Sequence, residues 1–244
     1  MLEIPAWATR GLEFKTYYIG STFPGVVDFP AKLALETKER NSKVIGSDIA
    51  LTAEEQAQAI RTRKISADIW EKYRDFKRLD VLPSELWYFS PPLPGNLPVF
   101  RITGGGVVVS SACAEVLQRF RLGESRLQEV QIYHLGNKKP IKGNPYFFVN
   151  ISEWRNFLVP EASDPRCKYI GYERNGYKMY GMLFFESEIE QPAYALKADV
   201  LHSDVDLWHD PMLMGSFFLS EPLQQALQDA GMADAWYLQA CRLA

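Results

Sequence analysis

The densest group of chemically active side chains in this sequence lies in residues 199–210, DVLHSDVDLWHD. His202 and His209 stand there among four aspartates, and imidazole and carboxylate groups both bind divalent metals. No HExxH or EF-hand spacing accompanies them. Because a metal site needs a defined geometry, the segment predicts no metal ligand.

The same segment suits a docking surface. Carboxylates beside a large aromatic side chain combine charge with an apolar anchor, which fits contact with a basic partner protein. A second interpretation stays open, because Trp208 can equally belong to the core of an aromatic-rich chain. The predicted contact residues are Asp199, Asp204, Asp206, Trp208, His209 and Asp210.

A second acidic run, FFESEIEQP, places Glu186, Glu188 and Glu190 at alternate positions. In a strand these side chains would share one face. Their mutual repulsion favours a sheet edge or a cationic partner. Glu186 and Glu188 therefore join the predicted contact residues.

Patterns for nucleotide binding or nucleophilic catalysis are incomplete. The glycines at 104–106 lack the lysine of a phosphate loop and precede a strand-like run, so they predict a turn. No GxSxG motif occurs, and Cys113 has no identifiable base. We predict no catalytic residue and no cofactor. The alternatives are an enzyme with a site near His202 and His209, or a non-catalytic regulatory adaptor.

The composition limits the class of partner. The chain has 244 residues, a net charge of -3 and a pI near 5.7, without the basic surplus of nucleic-acid binders. No secretory signal pattern and no apolar run of about 18 residues is present. Three separated cysteines fit inert thiols in a reducing cytosol. The sequence predicts a cytoplasmic protein that binds neither nucleic acid nor membrane; the oligomeric state stays open.

Periodicity predicts the elements of the amino-terminal part. Residues 14–19 predict a strand. Thr52 and Glu55 have the spacing of a capping box, and apolar residues recur at three- and four-residue steps from Ile65 to Leu79. One long helix is therefore expected, whose basic residues lie mostly off the apolar stripe and form a solvated face.

A proline-rich stretch, SPPLPGNLP at residues 90–98, can continue neither a helix nor a central strand. We place a boundary there. The predicted division is an amino-terminal α+β part with one long helix at 1–92 and a second α+β domain at 93–244.

Two segments at an offset of 110 residues share one pattern, VVVSSACAEVLQ at 107–118 and FFLSEPLQQALQ at 217–228. Each runs from an apolar strand through a serine, Ser110 or Ser220, into a short amphipathic helix that a glycine ends. An apolar run follows each helix. We hypothesise two similar strand–helix–strand units; the alternative is coincidence between two common patterns.

The middle of the chain is rich in short β-prone runs separated by glycine, asparagine and proline. Asn175-Gly176 between two aromatic runs is a strong hairpin signal. Strands joined by tight turns pair antiparallel. The predicted class is α+β, a largely antiparallel sheet with a few flanking helices.

Three blocks of the second half resemble consecutive blocks of one bacterial family. They are VVVSSACAEVLQRFRLGESRLQEVQIY, NPYFFVNISEWRNFLVPEAS and DLWHDPMLMGSFFLSEPLQQALQDAGMADAWYLQACRL. With LPGNLPVF upstream, residues 93–243 resemble the polymorphic-toxin immunity protein eleven family. Arg121 stands where that family often has aspartate, so no role is transferred to it.

The resemblance implies a cytoplasmic protein made beside a secreted or contact-delivered toxin. Such a protein binds the toxin, by occluding its active site or holding it inactive, and performs no chemistry itself. The expected partner is thus a cognate protein toxin, and the predicted contact residues become predicted toxin-binding residues.

Overall fold

The protein is described by a computed structural model. The described residues are 4, 6–9, 16–17, 19–22, 52–54, 57, 60, 68, 71–72, 77–88, 97–102, 106–134, 139–143, 145–182, 194–213 and 215–244. Residues 53, 54, 57, 60, 68, 71 and 72 are helical, as expected for the helix predicted from Thr52, whereas residues 77–79 at the end of the predicted apolar stripe are not helical.

The bounded elements follow one another along the chain. The strands are β1 Trp7–Thr9, β2 Thr16–Tyr17, β3 Ile19–Thr22, β4 Glu85–Tyr88, β5 Val99–Ile102, β6 Val107–Ser110, β7 Arg126–His134, β8 Lys139–Pro140, β9 Tyr146–Asn150, β10 Cys167–Arg174, β11 Tyr177–Met182, β12 Ala195–Leu196, β13 Leu207–Trp208, β14 Phe218–Leu219, β15 Leu238–Ala240 and β16 Arg242–Leu243. The α-helices are α1 Ser111–Leu117 and α2 Glu221–Asp229, and short 3-10 helices span Pro160–Ala162, Ala198–His202 and Ala233–Trp236.

An eight-stranded sheet that curls into a half-barrel forms the larger layer. Its order is β2-β5-β6-β9-β7-β4-β3, and β8 pairs with β7 beside this path. Most neighbours pair antiparallel, whereas β2–β5 and β4–β7 pair parallel. A four-stranded sheet of order β13-β14-β1-β15, the β10–β11 hairpin and the β12–β16 pair complete the arrangement. The predicted α+β class is confirmed.

The two repeated segments have the predicted order of strand, serine, helix, glycine and strand. Ser110 and Ser220 are the N-cap residues of α1 and α2, and each side chain accepts a hydrogen bond from the backbone N–H three residues on. The glycines after the helices, Gly123 and Gly231, have positive φ.

The topology of the two units also agrees. β9 lies between β6 and β7 and is antiparallel to both. β1 lies between β14 and β15 and is antiparallel to both. Each unit is therefore a strand–helix–strand crossover with one antiparallel strand inserted, and the similar build of the two units stays a hypothesis that superposing them would test.

One apolar core joins the two units. Cys113 and Leu117 of α1 pack in the same buried cluster as Leu223 and Leu227 of α2, together with Trp236. Helices this short are marginal in isolation. Their stability thus depends on this shared burial of their apolar faces.

Strands from both sides of the proline-rich stretch pair with one another. β4 pairs with β7, β2 pairs with β5, and β1 lies within the four-stranded sheet. Residues 89–96 lie outside the described part of the chain, and the division at residue 92 stays a prediction. Over the described ranges, no helix has both the length and the apolar character to cross a membrane.

Candidate functional site

Most residues of the acidic segment at 199–210 are buried. Asp206 is buried and accepts hydrogen bonds from the backbone N–H of Arg121 at 2.9 Å and the hydroxyl of Ser220 at 2.8 Å. Burial alone would raise the pKa of Asp206, but the hydrogen bonds from Arg121 and Ser220 and the charge of Arg121 hold it below its ordinary value. Asp206 thus ties the turn after α1 to the start of α2, and Arg121 supplies the cation that pairs with it.

Asp210 is fully buried, at 0% exposure. Its Oδ2 accepts the backbone N–H groups of Phe157 at 2.9 Å and Leu158 at 2.8 Å, and its Oδ1 accepts that of Met212 at 2.9 Å. These bonds fasten the chain after β9 to the turn after β13. The Asp210 carboxylate organises backbone and is not accessible to a partner.

Asp210 predicts a pH dependence of stability. Burial raises its pKa from 3.8 to about 6, against the opposing backbone donors. Between these values the folded chain keeps a proton that the unfolded chain has released, so the free energy of unfolding should fall as the pH rises from about 4 to about 6. Denaturant unfolding of the native chain and Asp210→Asn should show this extra decline in the native chain alone. Parallel profiles would contradict the assignment.

His209 and Trp208 also belong to the interior. Burial lowers the pKa of His209 to about 3, so its imidazole is neutral at physiological pH; its Nδ1 lies 3.2 Å from the carbonyl oxygen of Ser216. Trp208 stacks on Phe218 with ring centroids 5.7 Å apart. The core interpretation of Trp208 holds.

Two of the predicted aspartates remain exposed. Asp199 lies in the 3-10 helix Ala198–His202. Asp204 is 78% exposed and pairs with Arg155 at 2.8 Å. Glu186 and Glu188 fall outside the described residues. The accessible part of the predicted acidic surface therefore narrows to Asp199 and Asp204.

Within the part of the chain that the structure describes, no group of three or more His, Cys, Asp or Glu side chains is arranged to bind a metal ion. The three cysteines are reduced and buried. Burial raises the pKa of the Cys113 and Cys167 thiols to about 12, so neither forms a thiolate near neutral pH.

A groove of about 380 Å³ opens beside the tip of the β10–β11 hairpin. Its lining combines cationic and aromatic side chains with a single carboxylate among them. Ser152, Asn175 and Pro211 contribute to the lining, and its charged and aromatic residues are Lys77, Arg78, Arg174, Trp154, Tyr177 and Glu124. This size and mixture are typical of a binding site. We call these six residues the basic–aromatic groove.

Trp154 is the largest apolar side chain of the groove and is 49% exposed. Its backbone is held rigidly, because the Glu153 carbonyl accepts the N–H of His209 at 2.8 Å and the N–H of Arg155 donates to the His209 carbonyl at 2.9 Å. The flanking side chains Glu153 and Arg155 pair with each other. An indole that stays half-exposed on a fixed backbone is preorganised for contact with a partner.

The buried Glu153 carboxylate also fixes the neighbouring turn. It accepts the backbone N–H of Glu124 at 2.8 Å, and a Cβ atom at Gly123 would overlap it. Gly123 has φ +58, so both the close approach and the backbone conformation require glycine. Glu153 thereby sets the positions of Glu124 and Trp154 together.

Residues of the β10–β11 hairpin form the opposite wall of the groove. Asn175 and Gly176 have φ of 50 and 80, the left-handed pair of a tight hairpin turn, which confirms the predicted hairpin. Arg174 and Tyr177 are directly opposite each other across it. Tyr177 meets Trp154 edge to face, with ring centroids 6.4 Å apart.

Two further aromatic side chains of the same hairpin, Tyr169 and Tyr172 of β10, are exposed. Tryptophan, tyrosine and arginine are the residues that most often dominate the energy of protein interfaces. The groove and these exposed tyrosines therefore have residue types that are common in protein-docking surfaces.

Sequence reasoning missed this surface. In the sequence, Trp154 lies within the block NPYFFVNISEWRNFLVPEAS, and Lys77 and Arg78 follow the basic face of the predicted helix, so neither pattern predicts a docking surface. The available signal was the SEWR string, in which a tryptophan stands between charged residues. Nothing in the sequence showed that these segments meet.

The chain matches no family model, and no curated protein matches it.

Proposed function

We propose that this chain is an immunity protein that binds and neutralises a cognate secreted or contact-delivered bacterial toxin in the cytoplasm. The three sequence blocks that resemble the immunity family support this assignment. The basic–aromatic groove, with Trp154 half-exposed on a fixed backbone, is the structural observation that carries it.

The surface favours binding over catalysis. A rigid anchor loses little conformational freedom when a partner covers it, so more of the contact energy appears as affinity. A stable complex needs about 800 Å² from each partner, more than the groove alone offers. The contact therefore extends along the hairpin over Tyr169 and Tyr172, and the protein acts by covering the toxin's working surface.

The function is tested by co-expression in a bacterial host with the product of the gene adjacent to this one. That product should arrest growth alone and be tolerated when the chain is present, and the two should purify as one complex. A chain that neither protects the host nor binds that product removes the proposal. Binding without protection leaves an adaptor as the better description.

The exposed acidic residues provide a competing docking surface that can be tested separately. Asp199→Ala with Asp204→Ala should change the dissociation constant for the toxin less than about twofold, because exposed charges at a rim contribute little to affinity. Calorimetric titration of the double variant checks this, with thermal unfolding as the fold control. A tenfold loss of affinity would move the docking surface to the acidic segment.

A further inference from the structure

The basic–aromatic groove is assembled from both sides of the proline-rich stretch. Lys77 and Arg78 precede that stretch, whereas the other lining residues follow it. Residues 77–79 belong to neither a helix nor a strand, so no ladder of backbone hydrogen bonds holds them in place. The groove is complete only if this short segment is attached to the rest of the protein by other contacts.

Leu79 is the point of attachment. Its side chain is 1% exposed and packs in the apolar cluster of Val130 and Phe148. Its backbone N–H donates to Oδ1 of Asn150 at 2.8 Å, and its carbonyl oxygen accepts a hydrogen bond from the guanidinium of Arg126. Burial holds the Leu79 side chain, while the two hydrogen bonds satisfy both backbone groups and fix their orientation.

The two side chains that hold Leu79 form a cross-strand pair. Arg126 of β7 lies directly opposite Asn150 of β9, and side chains at such positions lie on one face of the sheet. Asn150 is fully buried, at 0% exposure. Within the described part of the chain its amide nitrogen has no hydrogen-bond partner, so the amide acts here through the oxygen that Leu79 uses.

The hydrogen bond from Leu79 to Asn150 also determines where Arg78 lies. The N–H of Leu79 is part of the peptide group that joins it to Arg78, so fixing this group fixes the point from which the Arg78 side chain leaves the backbone. Arg78 also pairs with Glu124 at 2.8 Å, and both side chains are more than half exposed. Because an exposed pair contributes little, the position of Arg78 depends mainly on the buried bonds at Leu79.

We propose that Asn150 is a positioning residue for toxin binding, which acts through Leu79 to hold Arg78 at the wall of the groove. This rests on the proposed function and adds to it a buried side chain that the partner never touches. A wall that is fixed before the partner arrives loses little conformational freedom on binding. The docking surface is accordingly a composite of residues from before and after the proline-rich stretch.

The test is a double-mutant cycle between Asn150→Ala and Arg78→Ala, measured by calorimetric titration with the adjacent gene's product. Asn150→Ala should raise the dissociation constant about fivefold, the effect of one hydrogen bond on an equilibrium. Arg78→Ala should raise it at least as much. When Arg78→Ala is already present, Asn150→Ala should add less than about twofold, because its effect passes through Arg78.

Ser163→Ala separates positioning from a general loss of stability. The Ser163 hydroxyl oxygen accepts the buried backbone N–H of Ala195 at 3.0 Å, and Ser163 does not line the groove. Like Asn150→Ala, this change leaves one buried backbone N–H without its acceptor, so both should lower the urea midpoint. Only Asn150→Ala should weaken binding.

Two further variants complete the test. Asn150→Asp keeps an oxygen for the Leu79 N–H and lies opposite Arg126, so it should restore most of the affinity. Arg126→Met releases the Leu79 carbonyl and should show the same coupling to Arg78→Ala; it replaces Asn150→Ala in the cycle if that variant does not fold.

Equal loss of affinity in Ser163→Ala and Asn150→Ala would overturn the inference, because it would show an effect of stability alone. Additive effects of Asn150→Ala and Arg78→Ala would also overturn it. Both outcomes leave the proposed function in place. Failure of the native chain to bind the adjacent gene's product would instead remove the proposed function itself.

Discussion

Replacing Trp154 with alanine is expected to weaken toxin binding by about 30-fold or more, the effect of losing a central anchor contributing about 2 kcal/mol. The indole is 49% exposed in the free protein, and a partner that covers the groove would bury the remainder. Its backbone is held by hydrogen bonds to His209 that use no side-chain atom of Trp154. The variant should therefore fold normally and lose affinity mainly through faster dissociation.

Calorimetric titration and surface-binding kinetics with the adjacent gene's product measure this effect. Leu201→Ala is the matched control, because Leu201 is also a large apolar side chain, 39% exposed, and it does not line the groove. It should bind like the native chain. If Trp154→Ala binds as tightly as Leu201→Ala, the docking surface lies elsewhere on the protein.

Replacing Asp210 with alanine is expected to lower the free energy of unfolding by about 3 kcal/mol or more. Three backbone N–H groups, of Phe157, Leu158 and Met212, would lose their acceptor, and each unpaired buried donor costs about 1–3 kcal/mol. The loss of these three hydrogen bonds is sufficient to account for the expected decrease in the free energy of unfolding. The change removes the fastening between the segment after β9 and the turn after β13.

Urea unfolding at constant pH measures the loss, and Asp210→Asn is the control. The amide retains one oxygen acceptor of similar shape, so Asp210→Asn should be intermediate between the native chain and Asp210→Ala. Trp154 forms a β-bridge with His209, the residue next to Asp210. Because the loss of the Asp210 hydrogen bonds should disturb this bridge, Asp210→Ala should also weaken toxin binding. A stability change below about 1 kcal/mol would show that water replaces the carboxylate and that Asp210 does not organise this segment.

The two substitutions distinguish the role of Trp154 from that of Asp210. Trp154 and Asp210 lie on adjoining backbone, yet one side chain faces a groove and the other is enclosed. Trp154→Ala should change affinity without changing stability, and Asp210→Ala should change both. This contrast distinguishes a residue that contacts the partner from one that positions the contact.

Much of the fold was predictable from local pattern. The serine caps of α1 and α2, the strand–helix–strand order around them and the Asn175-Gly176 turn all follow from interactions within a few residues. Such interactions depend on side-chain chemistry and backbone geometry that the sequence states directly. The 3-10 helix Ala198–His202 was not predicted, because the apolar run around it also suits a strand.

The candidate site was not predictable in the same way. The Asp206 carboxylate accepts a hydrogen bond from Arg121, 85 positions away, and the Asp210 carboxylate accepts one from Phe157, 53 positions away. Because the sequence does not reveal those partners, a run of aspartates predicts an exposed segment. Trp154 shows the reverse, since a tryptophan in an aromatic-rich chain is normally buried and here lines an open groove. The sequence by itself determined the local order of elements, the helix caps and the turns, because these arise between near neighbours. The burial of particular charges and the exposure of Trp154 at the groove were decided by tertiary contacts between distant segments.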